Sequence, residues 1–249
     1  MKKLALFCLW PVAMLLFLST AQGWLWPRLL PREFSLRAWC FVVEQSGGPL
    51  VTSLSLAVTA AILSTLISLP AARVLALHSF TGKRLLLWLL FLPLLTPPLA
   101  SAMGLHGLFL RYGLTDQWIG VMLVHLIPSV PYAALTLMAS FSKLDIDLEA
   151  QARTLGASKW QVWRHITGPS IAPGIALALT LSFLMSWSQY LLTLLIGGGR
   201  ILTLPIVLVG FEKSGDGAVA AAMSLLLMLP PTLLFVISNL FLRENQSIE

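Results

Sequence analysis

Charge is what this sequence has least of. Only 10% of its 249 residues are Asp, Glu, Lys or Arg, against about 25% in an ordinary soluble domain, while 57% are hydrophobic and the mean hydropathy is +0.87. Such a chain has too little polar surface to cover a water-soluble core, and it reads as a membrane protein. Acids are scarcest. All ten (Glu33, Glu44, Asp116, Asp145, Asp147, Glu149, Glu212, Asp216, Glu244 and Glu249) fall outside the long apolar runs. Proton-coupled carriers usually keep an ionisable group inside the membrane despite an insertion cost of about 2.5–3.5 kcal/mol; the lack of one here argues against that class. His106 and His125 do lie in apolar runs. Each is a lone imidazole without a carboxylate partner in its run, a pattern of hydrogen-bonded packing residues rather than of a proton relay.

Cysteine is nearly absent too. Cys8 sits in the first apolar run and Cys40 in the polar segment after it, so an internal disulfide is not expected and no metal-ligand spacing exists. A nucleotide loop is also missing: "HSFTGKR" lacks the first glycine of a phosphate loop and carries Arg84 where Ser or Thr would meet magnesium. Without HExxH, GxSxG or paired carboxylates in a run, no catalytic residue is assigned. The net charge of +6 comes from Lys and Arg scattered singly at the edges of apolar runs, with no basic stripe for nucleic acid.

What remains is membrane architecture. A spanning helix needs about 20 mostly apolar residues, and six stretches qualify: residues 4–20, 50–77, 85–110, 118–141, 174–196 and 218–242. With a cytoplasmic N-terminus, ten Lys and Arg face inside (residues 2, 3, 73, 83, 84, 143, 153, 159, 164 and 243) and six outside (28, 32, 37, 111, 200 and 213). The positive-inside bias therefore favours both termini in the cytoplasm. A cleaved signal peptide is the alternative reading of "MKK", the first apolar run and "STAQG". The segment 23–49, with Trp24, Trp26 and Trp39, suits an interfacial anchor. No internal repeat or linker divides the chain.

One polar segment, about 142–173, faces the cytoplasm in this topology, and its chemistry describes two short helices with a bend. Asp145 or Asp147 caps the first helix, acids fill its first turn, and Arg153 lies near its last turn. Gly156 ends it. Ser158 with Gln161 three residues on is a capping box for a second helix, expected to stop before Pro169 and Pro173. Leu148, Ala152 and Leu155 share a face of the first helix, and Trp160, Val162, Trp163 and Ile166 make the second apolar. These side chains either pack on the membrane domain or fill a groove on a soluble partner. Near the outer end of the fifth run, "SWSQY" supplies Ser186, Ser188, Gln189 and Tyr190, which either line a polar conduit or bond helices together. Pro93, Pro97, Pro98, Pro128 and Pro131 either break helices around a cavity or kink packed ones.

The stretch "EAQARTLGASKWQVWRHITGPSIAPG" resembles the EAA motif of the membrane subunits of ABC importers. Glu149, Ala150, Gly156, Ile166 and Pro169 match, with Gln151 in place of the second alanine and Gly168 in place of the usual leucine. The likeness extends over roughly residues 50–240, and "GGGRILTLPIVL" resembles importers of thiamine, ferric iron and polyamines more than those of sugars. The resemblance implies an all-α polytopic membrane protein of about six transmembrane helices. Residues 1–45 would hold the first helix and a periplasmic loop, and 46–249 the permease core with its EAA loop at 142–173. It also implies an ATPase-coupling loop carried by Glu149, Ala150, Arg153, Leu155, Gly156, Ala157, Ser158, Ile166 and Pro169. The implied partners are ABC ATPase subunits, a second permease subunit (identical or homologous), a periplasmic substrate-binding protein and the lipid bilayer of a bacterial inner membrane. The chain itself would bind no cofactor and no metal, with ATP and Mg used by the ATPase. An ATP-independent carrier or channel, or a scaffold recruiting a soluble protein, are the competing readings.

Overall fold

In hydrocarbon every backbone N–H and C=O must find its partner within the protein, which leaves helices as the form for apolar runs of this length. The computed structural model describes residues 2–22 and 31–246, with side chains described over 10–22 and 31–238. Trp24, Trp26, Arg28 and Glu249, and the side chains of Lys2, Lys3, Cys8, Arg243 and Glu244, lie outside the described residues. Among the described residues eleven α-helices follow in order: α1 (Lys2–Thr20), α2 (Arg37–Leu77), α3 (Lys83–Leu95), α4 (Pro98–Arg111), α5 (Trp118–Phe141), α6 (Ile146–Thr154), α7 (Lys159–Val162), α8 (Gly168–Trp187), α9 (Leu191–Gly197), α10 (Leu204–Ser214) and α11 (Gly217–Gln246). A π-helical turn, Trp163–Thr167, joins α7 to α8.

Among the described residues four helical stretches are long and apolar enough to cross a bilayer: α2, α5, the continuous stretch Lys159–Trp187, and α11. A fifth is broken, because α3 and α4 meet at 102°. The third run expected at 85–110 is thus divided in two, and of the two readings of its prolines the break holds here. Pro97 and Pro98 cause the break: proline has no N–H and drives the residue before it into extended backbone, as seen at Thr96 (ψ 139°) and Pro97 (ψ 128°). The fifth run is corrected as well, since α8 ends at Trp187 and α9 follows as a separate short helix. Ser188 closes α8 by donating both its N–H and its hydroxyl to the Leu184 carbonyl, the local competition that makes serine a helix terminator.

Within the segment 23–49, residues 37–49 are helical rather than a loop. A two-residue antiparallel pair, β1 (Ala21–Gln22) with β2 (Glu33–Phe34), returns the chain to α2, which starts at Arg37 and takes in Trp39 and Cys40. At 1.5 Å per residue its 41 residues reach about 60 Å, well beyond the hydrocarbon. Packing outweighs Gly47, Gly48 and Pro49 here, because Ala38, Val42 and Ser46 bury one face of the extension. Trp39 donates its indole N–H to Ser19 on α1, and Cys40 is an exposed free thiol.

The centre of the bundle is α2, α5 and α8, brought close by small residues. Ser68 donates to the Val130 carbonyl across α2 and α5, and a Cβ on Gly174 of α8 would collide with the Ser140 hydroxyl of α5. Phe141, Leu137, Ile171 and Ala72 fill the core at the α6 end, while Trp187, Phe183, Met223 and Leu204 fill it at the opposite end.

Candidate functional site

Helices α6 and α7 form a compact polar hairpin at one end of the bundle. Asp145 caps α6 by accepting from the Asp147 N–H at 3.0 Å. Gly156 ends it with φ +90°, a left-handed conformation that side chains strain to adopt. The capping box of α7 is complete: Ser158 Oγ accepts from the Gln161 N–H, and Gln161 Oε1 accepts from the Ser158 N–H at 2.7 Å.

The second helix does not stop before Pro169. It passes through the π turn straight into α8. In an α ladder Pro169 would strand the His165 carbonyl and press against it; the wider turn, with the Gly168 N–H bonded to the Trp163 carbonyl five residues back, relieves this. A Cβ at Gly168 would crowd that same Trp163 oxygen, which accounts for glycine at this position. The loop is thus built into a spanning helix.

One acid is turned inward, while three large apolar side chains stay exposed among the polar ones. Glu149 is buried, 5% exposed, whereas Leu148, Leu155 and Trp160 are 49%, 88% and 64% exposed. Trp160 stacks on Trp163, and an open groove of about 410 Å³ runs between α6 and α7, lined by Leu155, Gly156, Ala157, Val162 and Ile166 among others. Ala150, Arg153 and Pro169 are exposed but do not line it. Arg73 of α2 bonds Glu149 Oε2 at 2.6 Å, and Thr167 donates to Oε1 at 2.5 Å. Burial alone would raise the Glu149 pKa; the Thr167 hydrogen bond, the Arg73 hydrogen bond and charge, and the charge of Arg153 outweigh it and hold the group below its ordinary value. Arg73 and Thr167 were not visible as site residues in the sequence. Seventy-six positions separate Arg73 from Glu149, and only the fold brings them together.

The four residues of "SWSQY" divide. Ser186 is buried and bonds His125 Nδ1 at 2.7 Å, while Thr193 bonds the other ring nitrogen at 2.8 Å. The imidazole thereby ties α5, α8 and α9 together, so Ser186 is helix glue and His125 the packing residue expected. Ser188 and Gln189 instead line a cavity of about 350 Å³ with Tyr132, Thr96 and Ser101. Pro93, Pro98 and Pro128 also line it, and the α3–α4 break opens it. Tyr190, half-buried at the start of α9, is not among the residues that line it.

Residues 64–243, well over half of the chain, match the family described as "Binding-protein-dependent transport system inner membrane component". The chain belongs to that family. It is a multi-pass inner-membrane permease subunit of an ABC importer, and the competing carrier, channel and scaffold readings give way to that membership. The permease is 28% identical to the trehalose transport system permease protein SugB of Mycobacterium tuberculosis, over 76% of its own length and 70% of SugB. It is 32% identical to the molybdenum transport system permease protein ModB of Haemophilus influenzae, over 66% of its length and 80% of ModB. With the spermidine/putrescine transport system permease protein PotC of the same organism it shares 26% identity, over 78% of its length and 76% of PotC. Its fold matches the crystal structure of a bacterial ABC transporter involved in the import of the acidic polysaccharide alginate, with a TM-score of 0.73 at 16% identity, covering 96% of the permease and 92% of that chain.

Proposed function

We propose that the permease is a non-catalytic subunit whose 142–173 loop lies in the bacterial cytoplasm and docks on a separate ATPase, which uses ATP and Mg. Two such ATPases, a second permease copy or homologue, and a periplasmic binding protein complete the assembly, with both termini of this chain in the cytoplasm. The observation that carries the reading is the set of large apolar side chains the hairpin leaves exposed. Leaving Leu148, Leu155 and Trp160 in water forgoes about 1.5–3 kcal/mol for each side chain that a partner could cover. A hairpin capped at both helix starts, fused through the π turn to α8, suits the transmission of force rather than mere recruitment. Solute would pass beside the cavity of Ser188 and Gln189, where uncharged polar groups replace some of its hydration.

The test is a mild-detergent pull-down of the chain expressed from its native operon, comparing wild type with the Gly156→Pro/Glu149→Lys double variant. An ATPase should co-elute with wild type and be lost from the variant. Wild-type permease that is stable and inserted yet brings down no ATPase would overturn the assignment of the loop.

A further inference from the structure

Four elements far apart in sequence converge on one carboxylate. Arg73, near the end of α2, holds one oxygen of Glu149, and Thr167 in the π turn holds the other. The Arg73 guanidinium also lies over the ring of Phe141, at the end of α5, 5.9 Å from its centroid. Glu149, Thr167 and Phe141 are all buried. Among the described residues no other side-chain hydrogen bond or ion pair joins α6 to a spanning helix.

We propose that Arg73 is the positioning residue that latches the loop to α2, so that displacement of α6 moves α2 and the base of α8 as one unit. Charge-assisted hydrogen bonds are short and about twice as strong as neutral ones. Once buried, a carboxylate separated from its cation is strongly disfavoured, so Glu149 keeps its grip on Arg73 while the loop is pushed. The contact points inward, away from Leu148, Leu155 and Trp160, so altering Arg73 leaves the outward face intact. The proposal rests on the docking reading and is separable from it, since docking is read by co-elution and the latch by movement within this chain.

The experiment uses the full complex purified with its ATPase. Cys8 and Cys40 are replaced by serine, and spin labels are placed at His78→Cys, at the end of α2, and Gln151→Cys, on the exposed side of α6. Pulsed electron resonance then measures the distance between labels without nucleotide and with ATP and vanadate. In the otherwise native complex the distance should stay narrow and unchanged. In Arg73→Gln it should shift by about 2 Å or more, or broaden, on trapping, and Arg73→Lys should restore the native behaviour. Glu149→Gln, which removes the charge but keeps the shape, should behave as Arg73→Gln does and serves if that variant fails to insert. A distance that shifts in the native complex, or that stays fixed in both charge-removing variants while the ATPase still co-elutes, would overturn the latch. Absence of the ATPase from the native complex would instead overturn the docking reading.

Discussion

Glu149 turns inward on an otherwise exposed helix, and its protonation has a sign that can be checked. Its pKa in the folded protein lies below the ordinary value of 4.5, so the carboxylate contributes stability that is complete above that value and is lost as pH falls through the lower, folded value. The difference in thermal midpoint between wild type and Glu149→Gln should be constant from about pH 8 to about pH 5.5 and shrink as pH falls below about 4.5. At Gly156 the constraint is backbone geometry, φ +90°. An alanine there meets open space but adopts the left-handed conformation at about 1–2 kcal/mol. Gly156→Ala should therefore keep the ATPase bound while loosening the hairpin, seen as faster amide exchange in α6 and α7. Both caps and the glycine turn were legible in the sequence, because capping is local chemistry between residues two or three apart. The buried side of α6 was not: helical spacing marked Leu148, Ala152 and Leu155 as one apolar face, and only the positions of Arg73 and Thr167 turned the acid inward.

Among the elements, the α6–α7 hairpin is capped at both helix starts and exposes Leu148, Leu155 and Trp160. Leu155→Asp and Trp160→Asp should each reduce ATPase co-elution by tenfold or more, since losing about 1.4 kcal/mol of contact lowers binding tenfold and a covered side chain supplies about 1.5–3 kcal/mol. Neither side chain is part of the bundle core, so the melting of the isolated permease should not change. The α7–α8 junction shows where sequence rules for helix ends fall short. Pro169 and Pro173 signal a stop, yet the helix runs past both, Pro169 just after a π turn and Pro173 inside α8. The reverse holds at α3–α4, where Pro97 and Pro98 do break the helix. Proline's missing N–H is the same in all these places, so its position along the sequence does not by itself fix whether a helix ends.

For the whole molecule, the broken helices α3–α4 and α8–α9 open a cavity at one side of the tight α2–α5–α8 centre. Gln189 faces that cavity with no side-chain partner among the described residues, whereas Ser186 is held by His125. Gln189→Ala should accordingly alter the rate of solute uptake in whole cells while leaving permease pairing and ATPase co-elution at wild-type levels. Ser186→Ala should act through stability, because it leaves a buried imidazole nitrogen short of a partner at about 1–3 kcal/mol. Lost assembly in Gln189→Ala would place that residue with the helix glue instead. By itself the sequence determined that the chain is a helical membrane protein, that its one long polar loop is a capped hairpin, and which family it resembles. These follow from hydropathy, from contacts within a few residues and from ordered motif residues. Only the tertiary structure decided which apolar runs are broken, which of Ser186, Ser188 and Gln189 meets a cavity, and that Glu149 grips Arg73. Each of these depends on how helices distant in sequence approach one another, and burial and pairing at those approaches are set by three-dimensional packing that periodicity along one chain does not encode.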